Sequence, residues 1–233
     1  MGSYRDWHAV QHELEEAGDA DFCRALADDL WALLPDLDPR LGEERGRFWN
    51  NLGAFFGTPG PAASLDRAES CFARALDAWR GDADRRARAL HNRGSARTGV
   101  GASAEDLGRA AADLEEALVY RNGEREIARA VTLHHLGIAR RKLAELAPEG
   151  AAEELERSAG ALSEALEIRA RLGLTGGTAS SRFQLGITLA GLRRFSEARR
   201  ALETAAGELD AAGSPEQAGI AREAAARLPP GKS

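Results

Sequence analysis

Four times in this sequence an apolar stretch carries a polar residue, one spacer and a glycine, and an alanine-rich stretch follows. The four tetrapeptides are Asn50-Asn51-Leu52-Gly53, His91-Asn92-Arg93-Gly94, His134-His135-Leu136-Gly137 and Phe183-Gln184-Leu185-Gly186. Such internal similarity constrains the fold more than any single residue, because each unit has an apolar face that only a neighbouring unit can cover. The sequence therefore predicts an array of stacked repeats.

The composition favours helices over strands. Alanine, leucine, arginine and glutamate dominate, aromatic residues make up 6%, and no stretch of β-branched residues alternates as a strand would. Serine caps, glycine and proline divide the chain into helices, and Ser64, Ser103 and Ser214 are the clearest N-caps. Eleven helices are predicted, over residues 4–17, 19–34, 40–57, 63–80, 82–99, 103–121, 123–147, 149–172, 177–191, 194–212 and 214–228.

These helices fall into a predicted order along the chain. Residues 1–39 form an N-terminal helical hairpin anchored by Trp7 and Trp31, for which a degenerate repeat is one interpretation. Residues 40–212 form the repeat array, 213–228 form a capping helix, and 229–233 form a disordered tail.

The repeat supplies a numbering in which each glycine is position 8 of the first helix of its pair. Positions 4, 8 and 11 share one helix face at 100° per residue. In the first repeat they are Trp49, Gly53 and Phe56. We expect Gly53 to let the second helix approach closely, with the two aromatic rings packing beside it.

The first repeat carries the pattern Trp49-x2-Leu52-Gly53-x2-Phe56, followed by Ala68-x3-Phe72-x2-Ala75-Leu76. This pattern resembles the tetratricopeptide repeat (TPR). The long, unequal period, with glycines at 53, 94, 137 and 186, resembles the TPRs of kinesin light chains and of large actinobacterial regulators. The resemblance implies an all-α, right-handed superhelical solenoid of about four to five helix pairs with a C-terminal capping helix.

In the TPR family, positions 2, 5, 6 and 9 of the first helix line a concave groove that binds peptides. Carried over to this chain, the polar residues at positions 5 and 6 are Asn50, Asn51, His91, Asn92, His134, His135 and Gln184. Arg47, Arg88 and Arg141 add positive charge for an acidic group. Side-chain amides donate and accept hydrogen bonds at once, which suits a peptide backbone. The alternative is that these residues hydrogen-bond only to neighbouring helices.

The sequence thus predicts a non-catalytic scaffold for a protein or peptide partner in the cytoplasm, without a cofactor or a metal. A net charge of −6 argues against a nucleic-acid partner, and no apolar run reaches the ~20 residues that span a bilayer. Three alternatives stay open: a regulatory subunit that changes curvature on binding, a repeat enzyme using the histidines, and self-association through Phe55, Trp79 or an exposed end helix.

Overall fold

The structure, a computed structural model, describes residues 28, 42–60, 63–99, 101–121, 126–175 and 177–230. In these ranges the chain forms nine helices and no strand. They are α1 (Gly42–Gly57), α2 (Leu65–Ala78), α3 (Ala83–Arg97), α4 (Ala104–Tyr120), α5 (Glu126–Leu146), α6 (Ala151–Arg171), α7 (Thr178–Gly191), α8 (Phe195–Ala211) and α9 (Pro215–Ala226). Nine of the predicted helices are confirmed to within a few residues. The helix predicted at 4–17 lies outside the described residues, and of 19–34 only residue 28 is described.

All three predicted serines lie at N-cap positions. Ser64 accepts a hydrogen bond from the backbone N–H of Arg67, and Ser103 forms a capping box with Asp106. Ser214 precedes Pro215 in the first turn, as predicted, but its side chain makes no cap hydrogen bond. Its ψ of 64° differs from the extended ψ of 106° at Ser64 and 165° at Ser103, and this alters how the residue presents its hydroxyl to the first turn.

The chain divides into two compact units, residues 1–102 and 103–233. In the first unit, α1, α2 and α3 pack against one another in all three pairs. Trp49 and Phe56 are buried here together with Phe72, as predicted for the packing face. A Cβ on Gly53 would lie 2.8 Å from the Phe72 ring, so the missing side chain is what admits α2.

The second unit continues the same packing. Consecutive helices from α4 to α9 are in contact, and α5 also contacts α7, the first helix of the next pair. A Cβ on Gly137 would lie 2.5 Å from Leu162, and one on Gly186 would lie 2.7 Å from Leu202. In the first, third and fourth motifs the glycine therefore marks the close approach between the two helices of a pair.

Position 11 of the packing face holds an unexpected feature. The second and third repeats have Arg97 and Arg140 where the first has Phe56, and both arginines are buried. Arg97 pairs with Glu69 of α2 at 2.7 Å, and Arg140 pairs with Glu154 of α6 at 2.6 Å and with Glu115 of α4. Ion pairs replace an aromatic contact at these two positions because a buried charge requires a partner.

Trp79 does not offer the surface for self-association that the sequence left open. Its side chain is only 4% exposed and lies against Gly46, while Phe55 is half-buried against the same core. The buried Cys71 belongs to this core too, and burial raises the pKa of its thiol to about 12. Such a thiol stays protonated and unreactive at neutral pH.

Candidate functional site

Three asparagines of the first unit form a directed chain of hydrogen bonds. The Asn92 amide nitrogen donates to Oδ1 of Asn50 at 3.0 Å, which joins α3 to α1. The Asn50 amide nitrogen donates in turn to Oδ1 of Asn51 at 3.4 Å. Asn50 is 3% exposed, whereas Asn51 and Asn92 at the ends of the chain are partly exposed. The chain thus presents an amide donor at Asn51 and a carbonyl acceptor at Asn92.

The other predicted site residues of the first unit lie around this chain. Arg47 is exposed and lies 3.9 Å from Glu44 on its own helix. Arg88 is exposed and His91 is half-buried. Because both arginines are exposed, they can pair with an acidic group at a small desolvation cost.

The histidines of the second unit sit beside a buried serine. His134 and His135 pack edge to face with their ring centroids 5.4 Å apart. His134 Nδ1 lies 2.9 Å from the hydroxyl of Ser181 on α7, and Ser181 also accepts a hydrogen bond from Arg169 of α6. In both units, the residue at position 5 of one repeat hydrogen-bonds to the first helix of the following repeat. Asn50 does so in the first unit, and His134 does so in the second.

Both histidines are neutral at pH 7. Burial lowers the pKa of His134 to about 3, and the neighbouring charges of His135 and Arg169 act in the same direction. Burial followed by Arg169 also lowers the pKa of His135. Each imidazole is thus a hydrogen-bonding group of fixed neutral charge across the physiological range.

The remaining two predicted residues carry atoms that lack a partner. Gln184 is half-buried, and its Oε1 is shielded from solvent without a hydrogen bond. Arg141 pairs with Glu145 through one guanidinium nitrogen, while its buried Nε makes no hydrogen bond. A buried polar atom that lacks a partner costs about 1–3 kcal/mol, so each of these two atoms lowers the stability of its helix contact.

Sequence reasoning missed a pair of arginine contacts at the repeat junctions. Arg169 donates to the carbonyl of Gly177 and the hydroxyl of Ser181, and Arg121 donates to the carbonyl of Ala128 and the hydroxyl of Thr132. Thr132 and Ser181 both stand at position 3 of a first helix. The sequence signal for these contacts is a serine or threonine at position 3 that follows an arginine by 11 or 12 residues.

Within the described ranges, no group of three histidine, cysteine, aspartate or glutamate side chains could hold a metal ion. None of the helices described here is long and apolar enough to cross a membrane. The predicted polar residues thus form two rows, one on α1 and α3 of the first unit and one on α5 and α7 of the second.

Comparisons with known proteins bear on the fold. No family model matches the chain, and no curated protein matches it in sequence. Its structure is similar to the crystal structure of BtubC (BKLC) from P. vanneervenii, with a TM-score of 0.52. The match covers 98% of this chain and 96% of that chain at 16% identity. The chain has an all-α, TPR-like helical-repeat fold. At this identity the similarity shows the fold alone.

Proposed function

We propose that the protein is a cytoplasmic, non-catalytic scaffold that binds an extended peptide along the polar residues of its first helices. The observation that carries this proposal is the asparagine chain of α1 and α3. It ends in a donor at Asn51 and an acceptor at Asn92, both on partly exposed residues. An extended peptide backbone presents a carbonyl and an N–H at each residue, so it can satisfy both ends.

Rigidity of the asparagine chain supports the same proposal. Asn50 is buried and hydrogen-bonded on both sides, so the amides of Asn51 and Asn92 are oriented before any ligand arrives. A pre-oriented donor and acceptor lose less conformational entropy on binding than mobile side chains do. Long charged side chains would lose more, which is why amides suit this surface better than lysine or glutamate would.

In the second unit, Gln184 and Arg141 provide polar side chains for a peptide. Gln184 lies on α7 and Arg141 on α5, and both side chains are partly exposed. Their unpaired Oε1 and Nε atoms are shielded from solvent, so a peptide would contact the other polar atoms of these two side chains.

The test uses an isosteric change at the exposed donor. Peptides selected from a random library for binding to the wild-type chain are titrated against Asn51→Asp, which replaces the donating amide by an acceptor and retains the bond from Asn50. We expect affinity to fall about tenfold, because a hydrogen bond is lost and an acceptor faces the peptide carbonyl. Gln217→Glu on α9 is the matched control, since Gln217 is exposed and undergoes the same change of charge. Equal affinity for Asn51→Asp and Gln217→Glu would overturn the proposal.

A regulatory subunit is the second candidate function, in line with the resemblance to actinobacterial and kinesin-light-chain repeats. The observation in its favour is the division of the chain into two units between α3 and α4, the two helices of the second predicted repeat. In this version, binding of a peptide or partner changes the curvature of the repeats and so controls an effector on another chain. Small-angle scattering with and without a selected peptide tests it, and an unchanged radius of gyration would leave only the scaffold.

A further inference from the structure

The guanidinium of Arg169 is a buried charge without a carboxylate. It is 7% exposed, and its hydrogen bonds go to two neutral groups, the Gly177 carbonyl and the Ser181 hydroxyl. Arg97 and Arg140 are buried to a similar degree, but each pairs with glutamate. No described carboxylate pairs with Arg169. Since buried charges are normally paired, its charge is left for another group to balance.

The direction of each hydrogen around Ser181 can be assigned. The Gly177 carbonyl accepts hydrogen bonds from the Ser181 backbone N–H, at 3.2 Å, and from Arg169. These two bonds occupy both lone pairs of the carbonyl oxygen, so it is not an acceptor for the Ser181 hydroxyl. Arginine can only donate, so the Ser181 oxygen is an acceptor toward Arg169. Nδ1 of His134, 2.9 Å away, is left as the acceptor for the hydroxyl hydrogen, and we assign the hydrogen to that bond. A neutral imidazole that accepts at Nδ1 carries its own hydrogen on Nε2.

This assignment makes His134 Nε2–H the end of a polarised chain of donors. The chain runs from the Arg169 guanidinium through the Ser181 hydroxyl to the imidazole, and each bond strengthens the next. Within the described part of the chain, Nε2 has no hydrogen-bond partner. Ser181 is fully buried, but His134 is partly exposed, so a ligand can reach the imidazole without opening the core.

We propose that His134 Nε2–H, oriented by Ser181 and polarised by Arg169 through that serine, is a subsite for a carboxylate of the bound peptide. A carboxylate fits better than a neutral carbonyl because it also balances the buried guanidinium charge. The neighbouring His135 adds a second imidazole beside the subsite. The inference rests on the proposed peptide-binding function and names the chemical group that the second unit recognises. Either a side-chain or a C-terminal carboxylate supplies this chemistry.

The test follows the imidazole nitrogens of His134 in the full-length chain by NMR. Acetylglycine represents a C-terminal carboxylate, acetylglutamate α-amide represents a side-chain carboxylate, and acetylglycinamide is the uncharged control. We expect the free protein to show the Nε2–H tautomer, and at least one carboxylate probe to shift Nε2 in a saturable way that the uncharged probe does not reproduce. The more effective carboxylate probe identifies the source. An Nδ1–H tautomer, or equal responses to charged and uncharged probes, would overturn the subsite.

Two substitutions distinguish loss of the donor chain from a general effect of removing a buried hydroxyl. Ser181→Ala removes the link between Arg169 and His134, and we expect it to weaken binding of the carboxylate probe about tenfold. Thr132→Ala removes the hydroxyl that receives the equivalent bond from Arg121, and it should change affinity by less than about twofold. Equal effects of the two substitutions would contradict the proposal. If Ser181→Ala does not fold, His134→Gln serves instead, with about tenfold weaker binding of the carboxylate probe by calorimetry as the expected result and unchanged binding as the result that contradicts the subsite.

The subsite and the proposed function fail in different ways. Selected peptides that depend on Asn51 but leave His134 Nε2 unchanged would overturn the subsite alone. Peptides that are insensitive to Asn51→Asp would overturn the proposed function instead.

Discussion

The side chain of Asn92 on α3 donates a hydrogen bond of 3.0 Å to the buried Oδ1 of Asn50 on α1. This bond links the first helices of two successive repeats, where apolar contacts would be expected in a solenoid. Because Asn50 is inaccessible to water, its amide depends on Asn92 and Asn51 for its hydrogen bonds. The same contact thus stabilises the fold and orients the proposed peptide-binding surface.

The Asn50–Asn92 bond should be measurable as a coupling energy. We expect Asn50→Ala to lower the free energy of unfolding by about 1–3 kcal/mol and Asn92→Ala by less, since Asn92 is partly exposed. In a double-mutant cycle by urea unfolding, the two substitutions should couple by about 0.5–1.5 kcal/mol. Strict additivity would show that the bond contributes nothing to stability.

Two glycines in the second unit should respond oppositely to the same substitution. Gly137→Ala places a Cβ 2.5 Å from the buried Leu162 side chain, so we expect a loss of about 1–3 kcal/mol from overpacking. Gly160→Ala on α6 meets nothing within 4 Å, so the gain in helix propensity should stabilise the protein by about 0.5–1 kcal/mol. Thermal unfolding of both variants tests the difference, and stabilisation by Gly137→Ala would contradict the close approach.

Substitution of Arg140 should lower the free energy of unfolding more than substitution of either of its glutamate partners. Removing the arginine leaves the partly buried Glu154 with Arg157, 3.3 Å away, as its remaining described cation, so Arg140→Met should cost about 1–3 kcal/mol. Glu115 is about half exposed, with 51% of its side chain accessible, so Glu115→Gln should cost less than about 1 kcal/mol. Chemical denaturation compares the two, and similar losses would mean that the pair behaves as a surface salt bridge.

Acid should destabilise the second unit through His134. Its pKa is about 3 in the folded chain and close to 6.5 when unfolded, so the unfolded state binds a proton first. The stabilisation is complete above pH 6.5 and is lost progressively as the pH falls toward 3, by roughly 1–2 kcal/mol at pH 5. His135 contributes in the same direction.

The variant His134→Gln isolates that contribution. The wild type should lose more unfolding free energy than the variant does between pH 7 and pH 5, as measured by urea titration at each pH. Parallel losses in the two proteins would show that another group controls the acid response.

Composition, caps and the positions of glycine and proline were sufficient to predict the helices that the structure describes. The tetrapeptide pattern added the prediction that its glycines admit a partner helix. Gly53, Gly137 and Gly186 confirm that logic through Phe72, Leu162 and Leu202. The pattern also located the polar residues at positions 5 and 6. It did not show which of these bond to each other, since Asn50 and Asn92 are separated by a whole repeat.

The sequence by itself determined the helical architecture and the polar rows, because periodicity and caps act over a few residues of chain. Only the tertiary structure decided the burial of Trp79, the ion pairs of Arg97 and Arg140, and the link from Arg169 through Ser181 to His134. Each of these depends on which helices lie next to each other and on how far water is excluded between them. A local pattern does not encode those two quantities, and they determine whether a polar side chain pairs internally or binds a ligand.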